Sequence, residues 1–316
     1  MKPRIAFAAA WISAFSALAL QPLRADQTLA LKREFVDRIR DRATISVNLH
    51  VDKHPPRPHG ISRGAKDGDI HMAGRADEVG LPMVAEIINA RLESDALAQL
   101  KKAKGDTPVS VVGVWRIWFE HPGMGEMVQG KPVPIPDDSN PAHVFEIHPI
   151  TSFAGDDLRD SFQEIRSAAG AEYEAYDAET AFKFYEDDPA TLQVSDTAVM
   201  IEAGKAKYNY AQFYIELVGA PQTPIDDPEA LIVLADVFSE DSSEEPVTAS
   251  PKRMIFVKNT DPAKKLSQLP VGERLHVLGI PRVSLAEVVA ITATHGHEPV
   301  EVNLPYEMII VAVLPD

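Results

Sequence analysis

The sequence predicts a mainly β protein with short helices, built as tandem OB-like five-stranded barrels joined by a partly helical connector. Its 316 residues allow roughly two domains. Residues 44–151 contain five runs typical of strands, with a short helix between the third and the fourth. This is the element order of the OB fold, a five-stranded Greek-key barrel. A similar order recurs in residues 191–316, with little residue identity between the two halves.

Residues 1–25 are predicted to be a cleaved secretory signal peptide. Two basic residues precede an apolar run over 5–20, and Ala19 or Ala25 supplies a small residue before the cut. A membrane anchor is the alternative, but this run is shorter than the roughly 20 residues that span a bilayer. We therefore expect an exported protein, periplasmic or secreted, with no integral membrane segment in the mature chain.

Charge and cysteine content limit the partners. The chain has no cysteine, which excludes disulfides and thiolate metal sites. Its formal net charge is −16, and losing the three basic residues of the signal peptide would leave 28 basic against 47 acidic residues, or −19. Such a charge repels phosphate backbones and disfavours nucleic acid as a partner. The expected partner is a protein or small-molecule ligand of unidentified chemistry.

The elements of the first half follow from hydrophobic spacing. Residues 26–43 have apolar residues three and four apart, which predicts an N-terminal helix, and 44–51 alternate as a half-buried strand does. The other predicted strands are 69–74, 81–88, 109–119 and 142–150, with a helix at 93–102. Loops 52–68 and 121–141 are long, and they join the strands whose connecting loops flank the binding face of OB folds.

The second half is predicted more coarsely. Residues 152–190 form the connector, with short helices at 158–168 and 177–186. In the second barrel, a hairpin at 192–202 precedes strands at 210–217, 231–238, 252–258 and 274–283, with a helix at 261–269 that has proline at its first turn. Either 287–292 or 308–314 closes the sheet.

The first barrel resembles a family of uncharacterised exported bacterial proteins. The shared pattern is G-D-x-H-(L/M), A-E-I, V-x-G and E-(I/L)-H-P-(I/V), present here at 68–72, at 85–87, in the strand that contains Val112-Gly113, and at 146–150. His121 follows the third of these motifs, as a histidine does in the family, and a long Gly/Pro-rich insertion comes after it. The resemblance covers roughly 80 residues. It implies export and a small β-barrel, and it brings no activity.

Histidines and carboxylates lie on neighbouring predicted strands. Asp69 and His71 are two residues apart and share a strand face, as do Glu146 and His148, while His121 ends the strand beside them. Three histidines, or two with a carboxylate, can hold a catalytic divalent metal such as zinc. The alternative is a structural role in barrel hydrogen bonds, and no compact motif such as H-E-x-x-H is present.

Loop and aromatic residues are the candidates for ligand binding. His54, His59 and His143 lie in or beside the two long loops and would form a surface site if the loops approach each other; otherwise they are solvated. Trp118 shares a strand face with Arg116 and, if exposed, can stack on a base or a sugar.

Three tyrosines share one strand face of the second predicted barrel. Tyr208, Tyr210 and Tyr214 lie at even spacing, which suits either a binding platform or buried and edge positions. The second interpretation is the simpler one.

Two functional hypotheses remain, and whether the chain is an enzyme stays open. The first is an exported binding or interaction protein that uses the loops of the first barrel; the absence of any compact catalytic motif favours it. The alternative is a metal-dependent hydrolase, for example of phosphodiesters, with His71, His121 and His148 as ligands. Glu146 or Asp69 would act as base or would hold the ligand imidazoles in place. A structural component of an envelope assembly is a third option. A divalent metal is the one cofactor that the sequence suggests.

Overall fold

The computed structural model describes residues 27–62, 66–123, 125–167 and 170–315. The predicted signal peptide therefore lies outside the described residues. Within those ranges the protein is mainly β, with helices that are all short. None of the helices described is long and apolar enough to cross a membrane.

The strands are numbered in chain order. The first ten are β1 (Gln27–Lys32), β2 (Thr44–Lys53), β3 (Ile61–Ser62), β4 (Lys66–Asp67), β5 (Ile70–Arg75), β6 (Met83–Ile87), β7 (Val109–His121), β8 (Glu126–Val128), β9 (His143–Phe153) and β10 (Asp156–Asp157). The others are β11 (Tyr176–Asp177), β12 (Pro189–Val194), β13 (Ala198–Ala203), β14 (Ala211–Leu217), β15 (Ala230–Phe238), β16 (Lys252–Val257), β17 (Arg274–Val283), β18 (Val300–Asn303) and β19 (Tyr306–Val313).

Five α-helices and two short 3-10 helices lie between the strands of the described ranges. They are α1 (Arg33–Ile39), α2 (Ser94–Leu100), α3 (Ala178–Asp187), α4 (Asp261–Leu266) and α5 (Leu285–Ala293), and the 3-10 helices Ala90–Leu92 and Arg159–Ser161. The helices α4 and α3 begin with residues that helix N-termini prefer. Thr260 accepts a hydrogen bond from the backbone of α4, which has proline in its first turn, and Asp177 does the same for α3.

The first sheet closes into a five-stranded barrel. Strands β2, β5, β6, β9 and β7 pair in that order, and β7 pairs back with β2. The β6–β9 pair is parallel and the others are antiparallel, with α2 between the third and fourth barrel strands along the chain. The predicted mainly β fold and closed five-stranded barrel are confirmed.

Side chains alternate between the two faces of this barrel. Met72, Ala85 and Ile147 point to the inside and belong to the main hydrophobic core. Their strand neighbours His71 and Glu86 occupy the other face, because successive residues of a strand point to opposite sides. A row of polar residues therefore runs over the outer face of β5, β6, β9 and β7.

Strands β7 and β9 approach closely at Gly113. A Cβ at this position would lie 2.5 Å from Ile147 Cγ2 and 2.6 Å from the carbonyl oxygen of Pro149. These distances are far below van der Waals contact, so a residue without a side chain is needed here.

In the second half, β14, β15, β16, β19 and β17 pair in that order, and β17 also pairs with β14. The β16–β19 pair is parallel, and α4 lies between β16 and β17 along the chain. Of the two alternatives for the last strand, 308–314 is confirmed by β19. Residues 287–292 are wrong as a strand, because they lie in α5, whose N-cap Ser284 accepts a hydrogen bond from Glu287 N.

A third sheet was not predicted. It has the order β18–β12–β13–β1–β8. In this sheet β1, at the start of the described chain, pairs with β13 and with β8. The predicted helix over 26–43 is therefore wrong in its first part. Leu29 and Leu31 alternate with more exposed residues and pair with β13, so Gln27–Lys32 is a strand, and only Arg33–Ile39 is helical.

Two further predictions are corrected. The hairpin expected at 192–202 exists, but it belongs to this third sheet and not to the sheet of β14 to β19. The helix expected over 158–168 is reduced to Arg159–Ser161. Phe162 and Ile165 are buried after that turn in irregular backbone, so their spacing reflects packing and not a helix.

The two halves are joined by buried polar contacts. Arg282 on β17 donates to the carbonyl oxygens of Ala43 (3.2 Å) and Trp115 (3.0 Å), and its guanidinium carbon lies 3.7 Å from the centre of the Trp115 ring. Glu307 pairs with the same guanidinium at 2.7 Å. Asp227 of the second half accepts a hydrogen bond from the backbone N–H of Ala43 in the first half, at 2.8 Å. The outer face of the first barrel is thus held against the second half.

Candidate metal centre

A cavity of about 310 Å³ lies over the polar outer face of the first barrel. One wall comes from β5, β6, β7 and β9, and another comes from the segment that leads into β14. The lining residues are His59, Asp67, His71, Glu86, Glu120, His121, Asn140, Glu146, Tyr173, Asn209 and Tyr210. The first wall includes β5 and β6, which are the second and third strands of the barrel along the chain. An OB fold is expected to bind its ligand on the face of these two strands.

The first group of candidate ligands is His59, Asp69 and His71. Each can offer one ligand atom, and the three atoms lie within 4.8 Å of one another. Asp69 lies between the histidines: its Oδ1 is 2.8 Å from His59 Nδ1, and its Oδ2 is 2.5 Å from His71 Nε2. The two rings meet edge to face with centroids 4.6 Å apart.

The contact between Asp69 Oδ2 and His71 Nε2 is short but is not a directed hydrogen bond. Asp69 is 1% exposed, and its Oδ2 has no hydrogen-bond partner among the described residues. A buried carboxylate oxygen without a directed hydrogen bond is a place where a protein can bind an ion. Two histidines and one carboxylate facing a cavity form a ligand set with an open position, as in catalytic zinc sites.

The second group is Glu86, Glu146 and His148, and all three are buried. His148 Nδ1 lies 3.0 Å from Glu86 Oε2 and 3.6 Å from Glu146 Oε2, yet it too has no directed hydrogen-bond partner in the described part of the chain. Glu86 also reaches the first group, because its Oε1 lies 3.6 Å from His71 Nε2. One carboxylate therefore lies between the two groups.

Glu146 is held by two further side chains. Arg116 Nη1 is 2.5 Å from its Oε2, and His143 Nε2 is 3.0 Å from its Oε1. Arg116 also donates to Asn209 Oδ1 at 2.6 Å, which ties this wall to the segment before β14.

The site has an excess of negative charge. Five carboxylates lie in or beside the cavity: Asp67, Asp69, Glu86, Glu120 and Glu146. Arg116 is the one arginine or lysine in ion-pair contact with any of them in the described residues. Burying carboxylates without cations is costly, so the arrangement favours either bound cations or bound protons.

The pKa values show where protons sit when no metal is bound. Burial lowers the pKa of His71, but the charges of Glu86, Asp69 and Asp67 outweigh burial and raise it to about 10. Burial raises the pKa of Glu86 to about 8, against the opposing charges of His148 and His71. In the metal-free protein at neutral pH, both groups therefore hold a proton.

Three other carboxylates differ in their basicity. Burial would raise the pKa of Asp69, but the hydrogen bond from His59 and the charge of the nearby His71 bring it well below its ordinary value. The pKa of Glu146 is also lowered, because Arg116 overcomes the effect of burial. Burial raises the pKa of Glu120, which lines the cavity and is therefore a better proton acceptor than Asp69 or Glu146.

The structure places the predicted metal ligands in a different grouping. His71 and His148 lie in separate groups on either side of Glu86, and Asp69 and Glu146 accompany them respectively. His121 belongs to neither group. Its ring stacks on His143 at 5.4 Å, and burial together with the charge of His143 lowers its pKa to about 4.

The four residues predicted to bind a ligand, three loop histidines and Trp118, also lie in different places. His59 joins the first group, and His143 is fully buried against Glu146 instead of lying on the surface. His54 does not line the cavity; its Nδ1 contacts the carbonyl oxygen of Pro55 at 2.9 Å. The expectation of an exposed Trp118 is wrong. The residue is on the predicted strand face, but Tyr185 of α3 covers that face, and Trp118 is 1% exposed.

Sequence reasoning missed three residues of the site. Glu86 is the one polar residue in the otherwise apolar strand Met83–Ile87, and it lies directly opposite His71 in the β5–β6 register. A single carboxylate in an otherwise apolar strand could have identified Glu86 as a candidate from the sequence. Glu120 gave no comparable signal. Tyr210 stood out only as one of three evenly spaced tyrosines, and its contact with His148 Nε2 at 2.9 Å arises through the tertiary fold.

Comparisons of the chain with family models, with curated proteins and with solved structures found no match.

Proposed function

We propose that this chain is a metal-dependent hydrolase whose ion is held by His59, Asp69 and His71. The observation that carries this proposal is the convergence of these three ligand atoms at a cavity wall, with a buried Asp69 oxygen that lacks a directed hydrogen bond. Imidazole and carboxylate ligands suit zinc, manganese or iron. A hydrolase is favoured because the ion would face a space large enough for a water and a small substrate.

The surrounding residues supply the other steps of a hydrolysis. A divalent ion at His59, Asp69 and His71 would supply a water of lowered pKa as the nucleophile. Glu120 would accept a proton there, since it lines the cavity and its pKa is raised by burial. Tyr210 and Tyr173 place hydroxyl groups at the same cavity, where they can donate to an oxygen that gains charge. Glu146, the base suggested by the sequence, is less suited because Arg116 holds its pKa low.

The hypothesis of a non-catalytic binding protein has less support. It relied on loop histidines and on an exposed Trp118, but Trp118 is buried, and two of the three histidines are bonded to carboxylates of the centre. Of the three histidines, His54 is the one that neither lines the cavity nor contacts a carboxylate of the centre.

Metal analysis of purified protein tests the proposal. Protein prepared without chelator or nickel resin should contain at least one zinc, manganese or iron per chain. It should hydrolyse p-nitrophenyl acetate or bis-p-nitrophenyl phosphate, and His59→Ala and His71→Ala should lose both metal and hydrolysis. His54→Ala is the matched control, because it lies in the same loop without lining the cavity. Wild-type protein that binds no divalent ion would refute the proposal.

Two further expectations stay proposals. The order of β14 to β19, with its parallel β16–β19 pair and the helix between β16 and β17, supports a second OB-like barrel in tandem with the first. The N-terminal sequence supports export, and the motif resemblance to exported bacterial proteins supports it as well. Sequencing the N terminus of protein recovered from a bacterial periplasm would test export.

A further inference from the structure

We propose that the cavity holds a second divalent ion, bound by Glu86, Glu146 and His148, with Glu86 bridging the two ions. This inference rests on the proposed function, since it takes the first ion at His59, Asp69 and His71 as given. The centre would then be dinuclear.

The geometry of His148 supports a second ion. The residue is fully buried, and its Nδ1 lies near two carboxylates without a directed hydrogen bond to either. Its Nε2 contacts the hydroxyl group of Tyr210 at 2.9 Å. When Nε2 donates its hydrogen to Tyr210, Nδ1 carries a free lone pair, which is the arrangement that a metal-bound histidine usually has.

The position of Glu86 indicates a bridge. Its Oε1 faces His71 of the first group at 3.6 Å, and its Oε2 faces His148 of the second group at 3.0 Å. A carboxylate with one oxygen toward each ligand group is suited to link two ions, which lie roughly 3.5–4 Å apart in two-metal hydrolytic sites.

The charge of the cavity fits two ions better than one. Five carboxylates carry a charge of −5 when all are ionised, and Arg116 supplies one positive charge. One divalent ion would leave the buried group at −2, whereas two would neutralise it. The histidines can then be neutral, as metal ligands must be.

Arg116 does not exclude Glu146 as a ligand. The guanidinium approaches Oε2 and His143 approaches Oε1, but each carboxylate oxygen has two lone pairs and can accept a hydrogen bond and bind a metal together. Ligating carboxylates in known sites are usually hydrogen-bonded in this way. Arg116 and His143 are therefore positioning residues for Glu146.

Loading with manganese tests the second ion. Metal-free full-length protein would be titrated with Mn²⁺, the bound ions counted by elemental mass spectrometry, and the sample examined by electron paramagnetic resonance. We expect two ions per chain and an exchange-coupled spectrum, because ions that share a carboxylate interact magnetically. His148→Ala should bind one ion and give the six-line spectrum of an isolated Mn²⁺.

The outcomes separate the two proposals. No bound ion in the wild type would overturn the proposed function and this inference together. One ion with a six-line spectrum, or two ions without coupling, would overturn only the second site. If His148→Ala does not fold, Glu86→Gln serves instead, because the change is nearly isosteric and should abolish the coupling. His54→Ala should keep both ions and the coupled spectrum.

Discussion

At the scale of residues, Glu86 lies at the centre of the site. It is 5% exposed, it occupies a strand whose other side chains are apolar, and it contacts a histidine on each side. A carboxyl group in such a place must be neutralised, either by a proton or by a cation. The metal-free and metal-bound proteins should therefore respond to pH in opposite ways.

The first prediction is that the metal-free protein loses stability as pH rises from 6 to 9. The pKa of Glu86 is raised from 4.5 to about 8, and the pKa of His71 is raised from 6.5 to about 10. A raised pKa means that the folded state binds the proton more tightly than the unfolded state. Each proton therefore stabilises the folded protein fully at a pH below the pKa of the group in the unfolded chain. This stabilisation is lost as pH rises through the pKa of the group in the folded protein. Thermal melting at several pH values checks this.

The same measurement with metal gives the control. Bound ions need His71 and Glu86 without their protons, so metal binding should release protons and strengthen with pH. The difference in Tm between metal-loaded and metal-free protein should widen from pH 6 to pH 9. A metal-free protein whose Tm rises over that range would contradict the assigned protonation states.

The second prediction concerns the general base. Glu120→Gln should keep the metal content but lower kcat by roughly 100-fold or more, the usual contribution of acid–base catalysis. The acidic limb of the pH–rate profile should also disappear. Glu126→Gln is a suitable control, because Glu126 is an exposed residue of β8. Equal kcat values for Glu120→Gln and wild type would assign the proton transfer to another group.

At the scale of elements, local sequence was enough to predict the strands of the first barrel. Residues 44–51 alternate because one face of that strand enters the core, whereas 109–119 is recognised by its content of β-branched and aromatic residues. The prediction failed for β1 because its apolar residues 29 and 31, taken together with 35, 36 and 39 of the following helix, fit the spacing of one continuous helix. Pairing with β13, a distant segment, decides its conformation, and no local pattern records that partner.

The third prediction tests the close approach of β7 and β9. Gly113→Ala should destabilise the protein by about 1–3 kcal/mol or more, because the added methyl group would overlap Ile147 and the backbone of Pro149. Denaturant unfolding measures the change. Gly219→Ala is the control, since nothing lies within 4 Å of a Cβ there. A stable Gly113→Ala would mean that the two strands can separate at this point without cost.

At the scale of the whole molecule, the candidate ligands come from the first barrel, and part of the cavity wall comes from residues that follow it. The sequence could place Asp69, His71, Glu146 and His148 on neighbouring strands, since strand parity is local. It could not place Tyr210 and Asn209 at the same cavity, because the packing of the halves depends on shape and on buried polar contacts. For the same reason the strand face of Trp118 was predicted correctly while its exposure was not.

The fourth prediction concerns this packing. Arg282→Met should lower the free energy of unfolding by about 3–5 kcal/mol, because Glu307 loses a buried partner and carbonyl groups of the first half lose a donor. It should also split a single thermal transition into two. Arg253→Met is the matched control. Arg253 pairs with Glu307 but, within the described ranges, donates no hydrogen bond to a carbonyl group of the first half, so one transition should remain. A single, unshifted transition for Arg282→Met would show that the halves are held together by other contacts.

The position of β1 affects how the chain reaches its native state. Gln27 pairs with Ala203 on one side of the third sheet, and Thr28 pairs with Glu126 on the other. Contacts between residues so far apart in sequence slow folding, since a large loop must close before the pairing is gained. On a ribosome this strand is made before both of its partners and must wait until β13 has been synthesised. Until then its apolar side chains and unpaired backbone groups are open to chaperones.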